Sequence, residues 1–175
     1  MDTEIPEEQS YILTMLVENK PGVTSRITGL FSGRGYNMES ICGAPTHDPN
    51  ISRITVKTKS TPDQLMEIQG QLNRLIDVIK LRDMTQEEKS VKREMALISV
   101  GITRENRTEL LHVTEMYNAK IVNAGADSYI VEVTGTEDMV NSLIELLRPL
   151  GIKKVTRSGI LALYKNLDDS HRAGA

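Results

Sequence analysis

The sequence is poor in the residues from which several common kinds of site are built. It has a single cysteine among 175 residues, Cys42, which excludes an intrachain disulfide and a zinc site made of cysteines. Its three histidines, His47, His112 and His171, are far apart in the sequence, and no cysteine or second histidine lies at metal-binding spacing from any of them. We therefore expect no metal site on this chain.

Long apolar runs and an excess of positive charge are missing too. No run approaches the roughly 20 apolar residues of a membrane-spanning helix, and the acidic N-terminus does not resemble a signal peptide. We expect a cytoplasmic protein that does not insert into a membrane. The net charge of −3 and the aromatic content of 3% disfavour a nucleic-acid partner, because phosphates are bound by basic surfaces and exposed bases by aromatic rings. A small-molecule or protein partner is favoured instead.

The sequence also lacks the motifs of common catalytic folds. It has no Gly-x-Ser-x-Gly elbow, no His-Glu-x-x-His helix and no P-loop. Gly29, Gly33 and Gly35 do not have the spacing of a dinucleotide-binding fingerprint, and they lie within and after a predicted helix, so we interpret the last two as a helix end. Cys42 has no candidate base near it in the sequence. We expect a chain without catalytic residues of its own.

What the sequence does contain is one order of elements that occurs twice. Alternating and helical patterns predict strand, helix, strand, strand, helix and strand in each half. The predicted strands are 11–17, 37–44, 51–59 and 78–82 in the first half, and 94–102, 121–124, 129–134 and 153–157 in the second. The helices are predicted to begin at Val23, after Thr61, before Leu110 and after Thr136. This βαββαβ order is that of a ferredoxin-like domain, so we predict an α+β protein with two such domains in tandem.

The polar stretches of the sequence set the expected domain boundaries. We predict an acidic N-terminal tail at 1–10, a first domain at 11–85, a linker at 86–93, a second domain at 94–165 and a polar C-terminal tail at 166–175. The linker is placed where charged residues follow one another without apolar periodicity.

The loop between the first strand and the first helix is the candidate binding site. Asn19-Lys20-Pro21-Gly22 precedes a helix, where unpaired N–H groups and the helix dipole favour an anion such as a carboxylate. Gly22 lets a ligand approach the backbone closely. The Asn37 carboxamide can both accept from an ammonium group and donate to a carboxylate, while Val23 and Met38 can contact an apolar side chain. These groups suit a free α-amino acid, although an ordinary strand-to-helix turn would have the same spacing.

Several segments of the chain resemble one known family. They are Leu16–Val23, Gly29–Ser32, Arg34–Ser40, Ala44–Thr46, Ser52–Thr55, Gln71–Val78, Arg93–Glu94, Ala119–Val122 and Arg157–Gly159. In this order, from about Tyr11 to Tyr164, they resemble the regulatory (small) subunit of acetolactate synthase, also called acetohydroxyacid synthase. The chain departs from the usual residues of that family at Thr24, where leucine is common, and at Ile41-Cys42-Gly43, where Leu-Thr-Val is common.

The resemblance implies the nature of the binding site. The first domain would be an ACT domain, an amino-acid-sensing ferredoxin-like module, and the second domain would be ACT-like. The effector would be a branched-chain amino acid, chiefly valine, bound between the ACT domains of two protomers in a homodimer or larger assembly. Carried over to this sequence, the expected effector contacts are Asn19, Pro21, Gly22, Val23, Thr24, Asn37 and Met38.

The resemblance also implies the partner. The large subunit of the family condenses two pyruvates, or pyruvate and 2-oxobutyrate, with thiamine diphosphate, magnesium and FAD. The small subunit holds none of these cofactors, raises the activity of the large subunit and confers feedback inhibition. Two alternatives stay open: a stand-alone ACT sensor that regulates a different partner, and a nucleic-acid-binding ferredoxin-like protein, which the charge balance disfavours.

Overall fold

The computed structural model describes residues 7–86 and 90–165. These residues form two compact units, with one boundary after Val91 and the other before Ala162, so that the residues from Ala162 onward belong to the first unit. The expected C-terminal tail, most of the N-terminal tail and residues 87–89 of the expected linker lie outside the described residues.

The first unit is an antiparallel sheet packed against two helices. Its elements are β1 (Gln9–Glu18), α1 (Val23–Gly33), β2 (Met38–Pro45), β3 (Ile51–Ser60), α2 (Pro62–Leu72) and β4 (Val78–Asp83). The strand order is β2-β3-β1-β4, which makes β2 and β4 the edge strands. The core contains side chains from one face of the sheet and from both helices: Tyr11, Leu13, Met15, Val17, Val23, Ile27, Phe31, Ile54, Val56, Leu65, Ile68 and Leu72.

The second unit repeats the same order of elements. They are β5 (Ser90–Gly101), α3 (Arg107–Met116), β6 (Lys120–Ala124), β7 (Ser128–Gly135), α4 (Glu137–Leu147), a short 3-10 helix (Arg148–Leu150) and β8 (Ile152–Arg157). The sheet order is β6-β7-β5-β8. A last strand, β9 (Leu161–Tyr164), follows β8 in the chain, and its residues from Ala162 onward belong to the first unit. The predicted α+β class with two ferredoxin-like βαββαβ motifs is therefore confirmed. Among the described residues, no helix is long and apolar enough to cross a membrane.

Side-chain caps begin two of the helices where the sequence predicts them. The Thr61 hydroxyl accepts a hydrogen bond from the Gln64 backbone N–H at 3.3 Å, and the Gln64 side chain accepts from the Thr61 N–H at 2.9 Å, which is a complete capping box. The Thr136 hydroxyl accepts from the Met139 N–H at 3.3 Å in the same way. Helix α1 differs, because its N-cap is Gly22 and no side chain caps it.

Two strands extend into segments predicted to be irregular. Strand β5 begins at Ser90, so residues 90–93 of the expected linker are part of a strand. Ser90 is 5% exposed, and its hydroxyl donates to the carbonyls of Met84 and Gln86, both at 3.2 Å. Likewise Gln9 and Ser10, predicted to lie in the N-terminal tail, pair with β3. Backbone groups form the hydrogen bonds of a sheet, so a polar sequence can continue a strand without apolar alternation.

Candidate functional site

A cavity of ≈ 370 Å³ lies between the beginning of α1 and the edge strand β2. Its size falls in the range of about 300–1,000 Å³ that is usual for small-molecule pockets. Its walls come from the end of β1 and the following loop, from the first turn of α1, and from β2 and β3. The lining residues are Val17, Glu18, Asn19, Lys20, Val23, Thr24, Ile41, Gly43, Ala44, Pro45, Ser52 and Ile54.

The register of β2 on β3 forms the apolar side of this cavity. Gly43 pairs with Ile54, and Ile41 pairs with Val56. Directly opposite residues of an antiparallel pair share a face of the sheet, so Ile41 and Gly43 lie on the same face as the buried core residues Ile54 and Val56. Ile54 is only 3% exposed, whereas Ile41 in the edge strand is 38% exposed. A single chain therefore leaves this part of the apolar face open to a ligand.

Asn19 fixes the loop before α1 to the turn between β2 and β3. Its Nδ2 donates to the Pro49 carbonyl at 2.8 Å, and its Oδ1 accepts from the Ser52 hydroxyl at 3.0 Å. Its backbone N–H also donates to the Asn50 carbonyl, at 2.7 Å. A carboxamide nitrogen has two hydrogens, so one N–H of the Asn19 side chain remains for a ligand. Its main role in the described structure is to hold the loop in place.

The first turn of α1 has backbone donors that nothing in the described part of the chain satisfies. Gly22 adopts the left-handed conformation with φ of 86°, and its carbonyl accepts the first regular helical bond, from the Arg26 N–H at 3.0 Å. Within the described residues, the N–H groups of Thr24 and Ser25 have no partner, and Thr24 lines the cavity. Unpaired N–H groups together with the positive end of the helix dipole favour an anionic group.

The charged side chains at the cavity form a pair of opposite sign. Lys20 Nζ donates to Glu18 Oε2 at 2.8 Å, and this hydrogen bond raises the pKa of Lys20. Both side chains are substantially exposed. The cavity therefore has one cation and one anion at its rim, which is compatible with a ligand that itself carries both charges.

A buried carboxylate supports the loop from the side of β4. Asp77 is 7% exposed, and its Oδ2 accepts from Arg26 Nε at 2.7 Å. The Asp77 backbone carbonyl accepts from the Glu18 N–H at 3.0 Å. One residue thus connects the end of β1, the first turns of α1 and the start of β4, which holds both ends of the loop in position.

The residues predicted to contact an effector lie in two places. Asn19, Val23 and Thr24 line the cavity, and Gly22 adjoins it as the N-cap of α1. Pro21 lies in the same loop but does not line the cavity. Met38 begins β2 and Asn37 precedes it, at the other end of the strand from Gly43. At 3.3 Å per residue they lie about 17 and 20 Å from Gly43. Asn37 is exposed, and its backbone carbonyl accepts from the Thr58 hydroxyl at 2.6 Å.

Sequence reasoning missed the wall of the cavity that β2 and β3 form. The missed lining residues in this wall are Ile41, Gly43, Ala44, Pro45, Ser52 and Ile54, and Val17 and Glu18 at the end of β1 were missed as well. The short gap between the strands predicted at 37–44 and 51–59 was a usable signal for a hairpin turn, because such a turn determines which residues face each other across the two strands. A register error of one residue would nevertheless move every side chain to the other face, so the turn alone could not identify the wall.

Groups that could bind a metal do not come together in the part of the chain that the structure covers. Within residues 7–86 and 90–165, no three His, Cys, Asp or Glu side chains are placed to hold an ion. Cys42 is a free, half-buried cysteine.

The sequence matches two protein-family models and several curated proteins. Residues 13–80 match the AHAS small subunit-like ACT domain, and residues 93–166 match the small subunit of acetolactate synthase. The probable acetolactate synthase small subunit of Archaeoglobus fulgidus is 41% identical over 155 residues, which cover 89% of this chain and 96% of that protein. The acetolactate synthase small subunit of Bacillus subtilis is 43% identical over 158 residues, which cover 88% and 90%.

A solved structure is similar as well. The crystal structure of the acetolactate synthase small subunit from Thermotoga maritima has a TM-score of 0.82 and 32% sequence identity to this chain. The match covers 90% of this chain and 98% of the other.

Proposed function

Because the chain belongs to the family of acetolactate synthase small subunits, we propose that it activates the catalytic subunit of that enzyme and confers feedback inhibition by a branched-chain amino acid, valine first. In this proposal, the reaction and its cofactors thiamine diphosphate, magnesium and FAD belong to the catalytic subunit. The observation that carries the proposal is the cavity beside the uncapped start of α1 in the ACT unit.

The cavity offers complementary groups for each part of an aliphatic amino acid. The carboxylate is placed at the unpaired N–H groups of Thr24 and Ser25, where the helix dipole also favours a negative charge. The aliphatic side chain is placed against Val17, Val23 and Ile54, which are buried core residues that also line the cavity. Burial of apolar surface then supplies affinity of about 25 cal/mol for each Å² removed from water.

A second copy of the chain is proposed to complete the site through strand β2. This strand is an edge of its sheet, so one row of its backbone N–H and C=O groups has no partner strand among the described residues. Two copies of β2 can pair antiparallel about a two-fold axis, which gives a homodimer with one continuous sheet. The cavity opens along this edge, since Ile41 and Gly43 line it.

Such a pairing explains why the expected effector contacts lie at two places in one chain. Antiparallel pairing sets the start of one strand beside the end of its copy, at a Cα separation of about 5 Å. Asn37 and Met38 of the partner subunit would therefore lie near the cavity residues Gly43 and Ala44. The Asn37 carboxamide is then available to the ammonium or carboxylate group of the effector.

A site shared between two protomers gives a physical basis for regulation. An effector that binds one packing of the two ACT units better than another shifts the population toward the packing it prefers. The effector can shift this population by no more than the difference between its own affinities for the two packings. In the proposal, the packing favoured by valine is the one that supports catalysis least.

Replacement of Asn37 with alanine is expected to weaken valine binding about 5- to 150-fold. A truncated buried amide that faced a charged ligand group costs about 1–3 kcal/mol, and each 1.4 kcal/mol is about tenfold in affinity. Isothermal titration calorimetry of the full chain with valine measures the effect. Asn73→Ala is the matched control, because Asn73 is exposed at the end of α2 and does not line the cavity.

The same titration tests the proposed function. Wild-type chain should bind valine saturably, with isoleucine and leucine as comparisons. Wild-type affinity in Asn37→Ala would remove Asn37 from the site, and no heat with any branched-chain amino acid would refute effector binding by this chain alone.

A further inference from the structure

The backbone conformation at Gly43 is one that other residues can also adopt, so it does not explain why a glycine is there. It lies within strand β2, and its φ is not among the positive values found at Gly22, Gly35, Gly151 and Gly159. Glycine inside a strand weakens it and often marks a place where a ligand or another backbone approaches closely. Since Gly43 is in the wall of the cavity, a ligand is the approach that the structure points to.

The space at Gly43 is limited by its cross-strand neighbour Ile54. A Cβ atom added there would lie 3.3 Å from Ile54 Cγ1 and 3.8 Å from the Arg53 carbonyl oxygen. Ile54 also lines the cavity and is 3% exposed, so its side chain is held by the core. An added methyl group would therefore both occupy cavity space and press against a side chain that has little freedom to move.

We propose that Gly43 determines how large an aliphatic side chain the effector site accepts, by leaving open the space beside Ile54. This inference rests on the proposed amino-acid effector site and adds a residue that selects among its ligands. The class of ligand favoured by the open space is an α-amino acid with a branched side chain. Filling the space should penalise larger side chains more than smaller ones.

The experiment measures the affinities of the full chain for L-alanine, L-valine and L-leucine by calorimetry, for the wild type and for Gly43→Ala. One methyl group in a hydrophobic pocket changes discrimination by about 10- to 200-fold. We therefore expect the ratio of leucine to alanine affinity to fall at least about tenfold in Gly43→Ala. The loss of affinity for valine should lie between the losses for leucine and for alanine.

Gly70→Ala is the matched control. Gly70 is exposed on α2, and nothing lies within 4 Å of a Cβ atom added there. This variant should keep all three affinities. A second variant, Gly43→Ala combined with Ile54→Val, removes the Cδ1 methyl group of the cross-strand neighbour and should restore part of the leucine affinity.

The outcomes separate this inference from the proposed function. An equal loss for all three amino acids, or no change, in Gly43→Ala would overturn the size-selection role while the effector site stands. No binding of any of them by the wild type would overturn both. Circular dichroism and sedimentation of each variant establish that fold and assembly are kept, and the double variant supplies the readout if Gly43→Ala alone does not fold.

Discussion

Replacement of Gly22 with aspartate is expected to abolish inhibition by valine while activation of the catalytic subunit survives. Gly22 is the N-cap of α1, directly before the unpaired N–H groups at which the effector carboxylate is proposed to bind. The substitution adds a carboxylate of its own beside that position. The new carboxylate would repel the effector and compete with it for the same donors.

The expected loss of valine affinity is at least about 100-fold. Two like unit charges about 4 Å apart near a protein surface repel by about 4 kcal/mol, and 1.4 kcal/mol corresponds to about tenfold. The mutation also places a Cβ 3.2 Å from Arg26 Nη1 at a φ of 86°, which adds strain of about 1–2 kcal/mol.

Gly22→Asn separates charge from strain. Asparagine has nearly the same shape as aspartate, tolerates the left-handed conformation and carries no charge. The assay is acetolactate formation by the reconstituted enzyme over a range of valine concentrations. Much stronger inhibition should persist in Gly22→Asn than in Gly22→Asp, and undiminished inhibition in Gly22→Asp would remove this loop from the effector site.

Replacement of Arg157 with methionine is expected to destabilise the second unit by up to about 3–5 kcal/mol, because the buried carboxylate of Glu94 loses its charged partner. Glu94 is 4% exposed, and its carboxylate accepts from Arg157 Nε at 2.8 Å and from Nη2 at 2.5 Å. The hydrogen bond to Glu94 raises the pKa of Arg157. Arg157 Nη1 also donates to Asn141 Oδ1 at 2.8 Å, which connects β8 to α4.

Replacing Glu94 and replacing Arg157 should not cost the same free energy of unfolding. The Arg157 side chain is 34% exposed and can bind water when Glu94 is neutralised, whereas the Glu94 side chain at 4% cannot. Glu94→Gln should therefore cost less, about 1–3 kcal/mol. Denaturant unfolding followed by circular dichroism gives the free energy of unfolding for each variant.

The double variant identifies the cause of the loss. In Arg157→Met a buried carboxylate has no cation, whereas Glu94→Gln/Arg157→Met removes that charge as well. The double variant should therefore be more stable than Arg157→Met. A double variant no more stable than Arg157→Met would contradict an electrostatic origin.

Local signals in the sequence predicted much of the fold. The capping residues Thr61 and Thr136 are read directly from the chain, and the structure shows both hydrogen bonds. The alternation of Ile54 and Val56 with polar residues predicted the buried face of β3, and both are buried. Such signals work because a cap or an alternating face depends on residues only a few positions apart.

Other features depend on partners that are distant in the sequence. The Glu94–Arg157 pair joins positions 63 residues apart, and no local pattern connects them. The cavity wall at Gly43 depends on the register of β2 on β3, and the strand from Ser90 depends on hydrogen bonds to Met84 and Gln86. The placement of Asn37 in the site stays a prediction, because it requires a second copy of the chain.

The most direct test of the regulatory role is the rate of acetolactate formation by the purified catalytic subunit alone, with this chain, and with this chain plus valine. We predict a higher rate when the chain is added, and a fall with valine that requires the chain. No change in rate at saturating chain concentration would contradict the account. Saturable valine binding together with that result would instead identify a stand-alone amino-acid sensor with a different partner.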